Sequence, residues 1–307
     1  MLIWQQTHYR QKMSSLRRVV ARPSSPSSPS IDKKSIRPQS ISGFSLVEMI
    51  IVIVILGILG IGGSQLIANA TQGMIDASRR ATLSSTGRIA VEKIARELRE
   101  ALPNSVRLTT TTDNRQCLEF MPILAGSTYL SAPFSPISAT SLTSIPFAEG
   151  LTAVSGRASI FPLLVDNVYA QNSPGPVSTT VANLSAPDGD NIVTLTLTTA
   201  FSFLNESPRQ RLYIVDTPIA YCLETLTGKL FRYQNFGLVA DTGNLVSTLP
   251  TQTPDRILVV DQLNNNGVAP FAITTASGGA LITLDFRFSQ ASELIRIKHD
   301  ILLRNEI

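Results

Sequence analysis

Gly43-Phe44-Ser45-Leu46-Val47-Glu48-Met49-Ile50-Ile51-Val52-Ile53 is the stretch on which the reading of this 307-residue chain turns. From Met49 to Ile75 no side chain carries a charge. Phe44–Gly63 is 20 residues, about 30 Å as a helix and enough to cross the hydrocarbon core of a bilayer. Gly57, Gly60, Gly62 and Gly63 lower helix propensity but are common in membrane helices. One ionisable group, Glu48, stands near the start of the run. A carboxylate in hydrocarbon is expensive, so its presence marks a functional position. The plainer alternative is a signal anchor whose glutamate rests at the interface.

N-terminal to this stretch the charge balance changes sharply. Residues 1–43 hold eight basic residues and one acid, a net of +7, whereas the other 264 residues carry a net of −3. The overall charge of +4 therefore belongs to the first segment. A nucleic-acid-binding body would need its basic residues clustered on the folded part, so none is expected. Basic residues before an apolar span place the N-terminus in the cytoplasm and the body outside. The Ser/Pro cluster over 24–30 shows no apolar periodicity and reads as unstructured. Met1 and Met13 are both candidate starts. A secretory signal peptide has its small-residue cleavage site after the apolar run. Here the small residue, Gly43, stands before it.

C-terminal to the stretch, no proline occurs before Pro103, and the pattern turns amphipathic. Val91, Ile94, Ala95, Leu98, Ala101 and Leu102 share one helical face, and Glu92–Arg96 is a favourable pair one turn apart. A helix from Phe44 to Leu102 would be about 88 Å long if continuous, with glycines as candidate bends and Pro103 as its stop.

Residues 104–307 suffice for one substantial core. Strands are predicted over Cys117–Ile123, Ile192–Thr198, Arg211–Val215, Ala220–Leu223, Lys229–Tyr233, Arg256–Val260, Leu281–Phe288 and Leu294–Leu303, with a hairpin at Gly228. The Pro/Ser-rich stretch 127–180 lacks periodicity and reads as a long insertion or surface excursion. Cys117 and Cys222 are the two cysteines. Outside the cytoplasm they are candidates for a disulfide, the alternative being two buried thiols. There is no CxxC motif, phosphate loop, nucleophile elbow or HExxH, so no enzyme, cofactor or metal is expected. His299 reads as a structural histidine whose polar atoms are satisfied. Asp188-Gly189-Asp190-Asn191, and Asp261 with Asn264-Asn265-Asn266-Gly267, read as turns rather than calcium loops.

The segment Gly43–Ile53 resembles the N-terminal signature of type IV pilins and type II secretion pseudopilins. The resemblance implies an α+β fold, in which a long N-terminal helix, transmembrane in its first half, packs on an antiparallel β-sheet domain. It implies a basic leader over 1–43, a membrane helix over 44–66, an amphipathic continuation over 67–103 and a periplasmic globular domain over 104–307. Prepilin peptidase is expected to cut between Gly43 and Phe44 and to N-methylate Phe44. Glu48 is expected to meet the N-terminus of a neighbouring subunit during assembly. The implied site is the bacterial inner membrane, with incorporation into a pilus. The implied partners are other pilin and minor pilin subunits, the peptidase–methyltransferase, the inner-membrane assembly platform and membrane lipid. Residues 95–107, Cys117–Phe120, Tyr221-Cys222, Leu230–Tyr233 and 299–305 are similar to minor pilins of MSHA-type pili. A J-type pseudopilin of type II secretion and a pilus-tip binding module are the alternatives.

Overall fold

With no proline to break it, the helix α1 runs without interruption from Leu46 to Arg99, 54 residues. It ends just short of Pro103 because the backbone finds other partners. The Leu102 amide donates to the Met121 carbonyl at 2.8 Å, and the Ile123 amide donates to the Glu100 carbonyl at 2.8 Å. The computed structural model describes residues 43–110, 115–147, 156–276, 279–291 and 293–304. The leader expected over 1–43 lies, as far as residue 42, outside them. The chain divides into two units, Met1–Ile61 and Gly62–Ile307.

In the second unit the amphipathic stripe is the buried face of α1. Leu83, Gly87, Ala90, Val91, Ile94, Ala95 and Leu98 are buried, recurring every three to four residues as a packed helical face requires. They share one core with Phe120, Tyr221, Leu230, Leu284, Phe286 and Phe288.

Two antiparallel sheets supply that core. One contains β1 (Arg107–Thr110) and β2 (Arg115–Phe120). It is completed by three strands from later in the chain, β9 (Ile219–Glu224), β10 (Lys229–Tyr233) and β11 (Arg256–Val260), in the order β1-β2-β9-β10-β11. Between β2 and β9 the chain builds a separate body. It comprises β3 (Ile123–Ser131), β4 (Ala139–Ser144), β5 (Arg157–Ser159), the short helix α2 (Val165–Tyr169), β6 (Val177–Leu184), β7 (Val193–Phe201) and β8 (Arg211–Val215). The strands close into a barrel, β3-β4-β7-β6-β5-β8, with its own core around Leu195, Phe201, Leu212 and Ile214. The chain then returns through β9 (Ile219–Glu224), β10 (Lys229–Tyr233) and β11 (Arg256–Val260). β12 (Phe271–Ala276), β13 (Gly279–Gln290) and β14 (Glu293–Arg304) form the second sheet.

The long helix followed by an antiparallel β domain is the α+β architecture expected. All eight predicted strands occur, and Gly228, at φ 64°, turns the β9–β10 hairpin. The stretch 127–180 belongs to a long insertion and is not a surface excursion. Its described parts hold most of β3, all of β4 and β5, α2 and the start of β6. The period-2 signal is broken there by register shifts in the β3–β4, β4–β7, β5–β6 and β6–β7 pairings, because each bulge adds a residue and reverses the alternation that follows.

Candidate assembly site and membrane anchor

Gly43, Phe44 and Ser45 precede the first turn of α1, and Ser45 starts the helix. The Glu48 amide donates to Ser45 Oγ at 3.2 Å, and the Met49 amide donates to the Ser45 carbonyl at 3.2 Å. Ser45 thus serves as N-cap, satisfying an amide that the helix itself leaves without a partner. The Ser-x-x-Glu spacing of Ser45 and Glu48 is a capping-box pattern. The spacing is legible in the sequence itself, where the expense of Glu48 in hydrocarbon masks it. Glu48 lies in the first helical turn, where the helix dipole favours a negative charge. Among the described residues it has no ion-pair partner.

The side chains that follow are apolar on every face. From Phe44 to Ile75 each large hydrophobic residue is exposed, Phe44 at 78% and Ile61 at 69%. A helix apolar all round with nothing packed on it is built for lipid rather than water. Among the described residues, α1 is the one helix long and apolar enough to span a membrane.

Residues 39–64 match the family described as prokaryotic N-terminal methylation motif. That motif indicates a type IV pilin-like or pseudopilin protein. No curated protein and no solved structure matches the chain. The motif and the apolar helix together point to a membrane-anchored, single-pass protein. The family implies association with other pilins and processing by prepilin peptidase. Its members serve structural rather than catalytic roles.

In the β-rich body, Cys117 and Cys222 stand directly opposite each other on β2 and β9. They form a disulfide with S–S 2.05 Å, and both are buried. β2 leads into the barrel and β9 follows it, so the bond joins the two strands by which the chain enters and leaves that insertion. Asp188 Oδ1 accepts the amides of Asp190 at 3.0 Å and Ile192 at 2.8 Å, and Asn191 sits at φ 61°. This is an Asx-type turn, in which the side chain stands in for a backbone acceptor. Asn265 is tied to the β13 backbone. Its Nδ2 donates to the Asp285 carbonyl at 2.7 Å and its Oδ1 accepts the Arg287 amide at 3.1 Å. His299 differs from expectation, since its buried Nε2 has no hydrogen-bond partner among the described residues. No group of three or more His, Cys, Asp or Glu side chains placed to hold a metal occurs among the described residues.

A buried cluster escaped the sequence reading. Arg107 Nε donates to Glu119 Oε2 at 2.8 Å, and Arg107 Nη2 donates to the Val239 carbonyl. The guanidinium lies 3.6 Å from the centroid of the Tyr169 ring, and Tyr169 Oη donates to the Ser105 carbonyl at 2.8 Å. Burial pushes the Glu119 carboxyl above its usual range, against the opposing effect of Arg107. Burial also raises the Tyr169 phenol. Arg107 so links β2, the helix α2 and the loop at 239–240. Partners 12 and 62 positions away in the sequence left no local signal of this.

Proposed function

We propose that the protein is a minor pilin of an MSHA-type pilus, most similar to the MSHA biogenesis protein MshO, that takes part in pilus assembly or priming or sits at the tip. In this reading the leader ends at Gly43, Phe44 becomes the N-methylated first residue, and residues 44–66 anchor the chain in the inner membrane. Residues 67–103 continue the helix, and 104–307 form the periplasmic body. The observation that carries the reading is Glu48. It is a carboxylate in the first turn of a helix that then carries no charge as far as Ile75, without a cation of its own chain beside it among the described residues. A lone carboxylate in hydrocarbon requires a cation, and the new α-amino group of Phe44 on a neighbouring subunit supplies one. Such a pair sets the register of subunits, and breaking it costs roughly 3–5 kcal/mol.

The body segments similar to MshO also support the reading. Leu98, Phe120, Tyr221 and Leu230 come from separate segments of that resemblance and meet in one core. A J-type pseudopilin of type II secretion is the second reading, favoured by the same motif and long helix.

Mass spectrometry of the protein isolated from membranes tests the proposal. The mature chain is expected to begin at N-methylated Phe44, and any other N-terminus overturns it. Glu48→Ala is expected to leave membrane insertion intact while removing the protein from pili. Normal incorporation of that variant would refute the role given to Glu48. Loss of piliation on deletion, with secretion unchanged, separates the pilus from the secretion reading.

A further inference from the structure

The loop between β11 and β12 carries the one Asn-Gly pair of the chain, Asn266-Gly267, at the end of the run Asn264-Asn265-Asn266-Gly267. β11 belongs to the first sheet and β12 to the second, so the loop is a joint between them. It is pinned on both sides. The Leu263 amide donates to the Gly228 carbonyl of the β9–β10 turn at 2.9 Å. Toward the second sheet, the Asn264 amide donates to the Arg287 carbonyl at 2.7 Å, and the Ser289 amide donates to the Gln262 carbonyl at 3.0 Å. The buried Asn265 side chain completes the attachment. Its Nδ2 donates to the Val268 and Asp285 carbonyls at 3.2 Å and 2.7 Å, and its Oδ1 accepts the Arg287 amide at 3.1 Å.

Asn266 and Gly267 stand apart from these bonds. They form the tip of a turn that the Val268 amide closes by donating to the Asn265 carbonyl at 2.9 Å. Both are exposed, with φ 48° at Asn266 and 77° at Gly267. Neither the Asn266 side chain nor the Gly267 amide makes a hydrogen bond with another described residue. Nothing lies within 4 Å of the position that a Cβ on Gly267 would take. The peptide between the two residues is therefore unhindered, and glycine leaves it the freedom to rotate.

We infer that Asn266 is a site of spontaneous modification whose products loosen the joint between the two sheets as the protein ages. The Gly267 nitrogen attacks Asn266 Cγ, and a C–N bond forms that closes a cyclic succinimide. The Cγ–Nδ2 bond breaks, and Nδ2 leaves as ammonia with the proton that the Gly267 nitrogen gives up. Water then opens the ring. Addition at Cγ gives aspartate; addition at the backbone carbonyl gives isoaspartate, in which the chain runs through the former side chain. Either product puts a carboxylate on a turn that held no charge between Gln262 and Val268. Isoaspartate also adds a methylene to the main chain between Asn265 and Val268. The two bonds that span this point, from the Val268 amide and from Asn265 Nδ2, are strained first, and the Asn265 bond to the Arg287 amide follows. Asn264 and Asn265 are protected. Each precedes an asparagine, the Asn265 side chain is committed, and the nitrogen that would attack Asn264 belongs to that same fixed residue. The inference is independent of the assembly reading.

The test ages the full chain in lipid nanodiscs in mildly alkaline buffer, which favours ring closure. Peptide mass spectrometry with electron-transfer fragmentation then locates each conversion and distinguishes aspartate from isoaspartate. Conversion is expected at Asn266 with isoaspartate among the products, while Asn264 and Asn265 stay intact. Asn266→Gln lengthens the side chain and is expected to slow conversion at this position about tenfold or more. The position is exposed, so this variant is expected to keep the wild-type melting curve. Hydrogen exchange at the Arg287 amide is expected to quicken about tenfold in the aged parent and to stay unchanged in aged Asn266→Gln. An intact Asn266 after ageing, or equal conversion at Asn264 or Asn265, overturns the site. Conversion that leaves Arg287 exchange at its starting rate overturns the loosening of the joint.

Discussion

Arg107 and Glu119 face each other across β1 and β2, with Nε donating to Oε2 at 2.8 Å, and both side chains are buried. Glu119 Oε1 has no partner of its own among the described residues, so the carboxylate depends on a single guanidinium. Removing one member of a buried pair leaves the other charged and unpaired, which costs more than the pair contributes. Arg107→Met is therefore expected to lower stability by roughly 3–5 kcal/mol. Because burial raises the Glu119 carboxyl, the folded state holds that proton more tightly than the unfolded one. This contribution falls as pH rises from the ordinary carboxyl range through the folded value. Without Arg107 the carboxyl rises further, so the decline should extend to higher pH. Urea unfolding across that range checks this, and an unchanged pH profile in the variant would sink it.

At Gly87 the helix α1 packs tightly against the second sheet. A Cβ there would lie 2.6 Å from both Ile297 Cδ1 and Phe288 Cε2. The isoleucine tip can move, but the Phe288 ring is fully buried and has little room. Gly87→Ala gains about 1 kcal/mol of helix propensity and loses about 1–3 kcal/mol to overpacking. Net destabilisation is expected, with Gly87→Leu worse. Combining Gly87→Ala with Phe288→Leu should recover part of the loss, and strictly additive effects would show that the ring is not the obstacle.

The Cys117–Cys222 bond spans 105 positions, and that loop contains the whole barrel. In the chain-entropy account a loop of this length contributes about 4–5 kcal/mol by restricting the unfolded state. The double variant Cys117→Ala/Cys222→Ala is expected to lose stability of that order while its barrel core stays packed. Hydrogen exchange should show the β2–β9 pairing opening before the barrel strands. Uniform loss of protection would contradict the placement of the bond as a staple at the base of the insertion.

Asp285 accepts two hydrogen bonds from Arg296, Nε to Oδ1 at 2.8 Å and a second from Nη2 to Oδ2. The hydrogen bonds from Arg296 hold the Asp285 carboxyl below its ordinary value, against the effect of burial. A depressed folded pKa contributes stability above the ordinary aspartate range, and the contribution is lost as pH falls through the folded value. Arg296→Gln is expected to be slightly less stable than the parent at neutral pH, the effect being small because Arg296 is exposed and water screens the pair. The two should converge in acid. A gap that persists at low pH would mean that Arg296 acts through packing alone.

The sequence by itself determined everything that depends on local pattern. The charge-free run after Glu48 required lipid, and the 3–4 spacing of Val91, Ile94, Ala95 and Leu98 defined the packed face of α1. The strict alternation of Thr283-Leu284-Asp285-Phe286-Arg287-Phe288 marked a half-buried strand. Ser45 as a cap was equally legible. What only the tertiary structure decided are relationships between distant residues. Bulges in the pairings of β3 to β7 erased the alternation that would have announced the barrel. The Arg107–Glu119–Tyr169 cluster joins segments with no shared periodicity. Hydrophobic spacing records which side of an element faces the core, since burial acts on each residue in turn. Strand order, barrel closure and the meeting of charged groups depend on which segments pair, and no single segment carries that information.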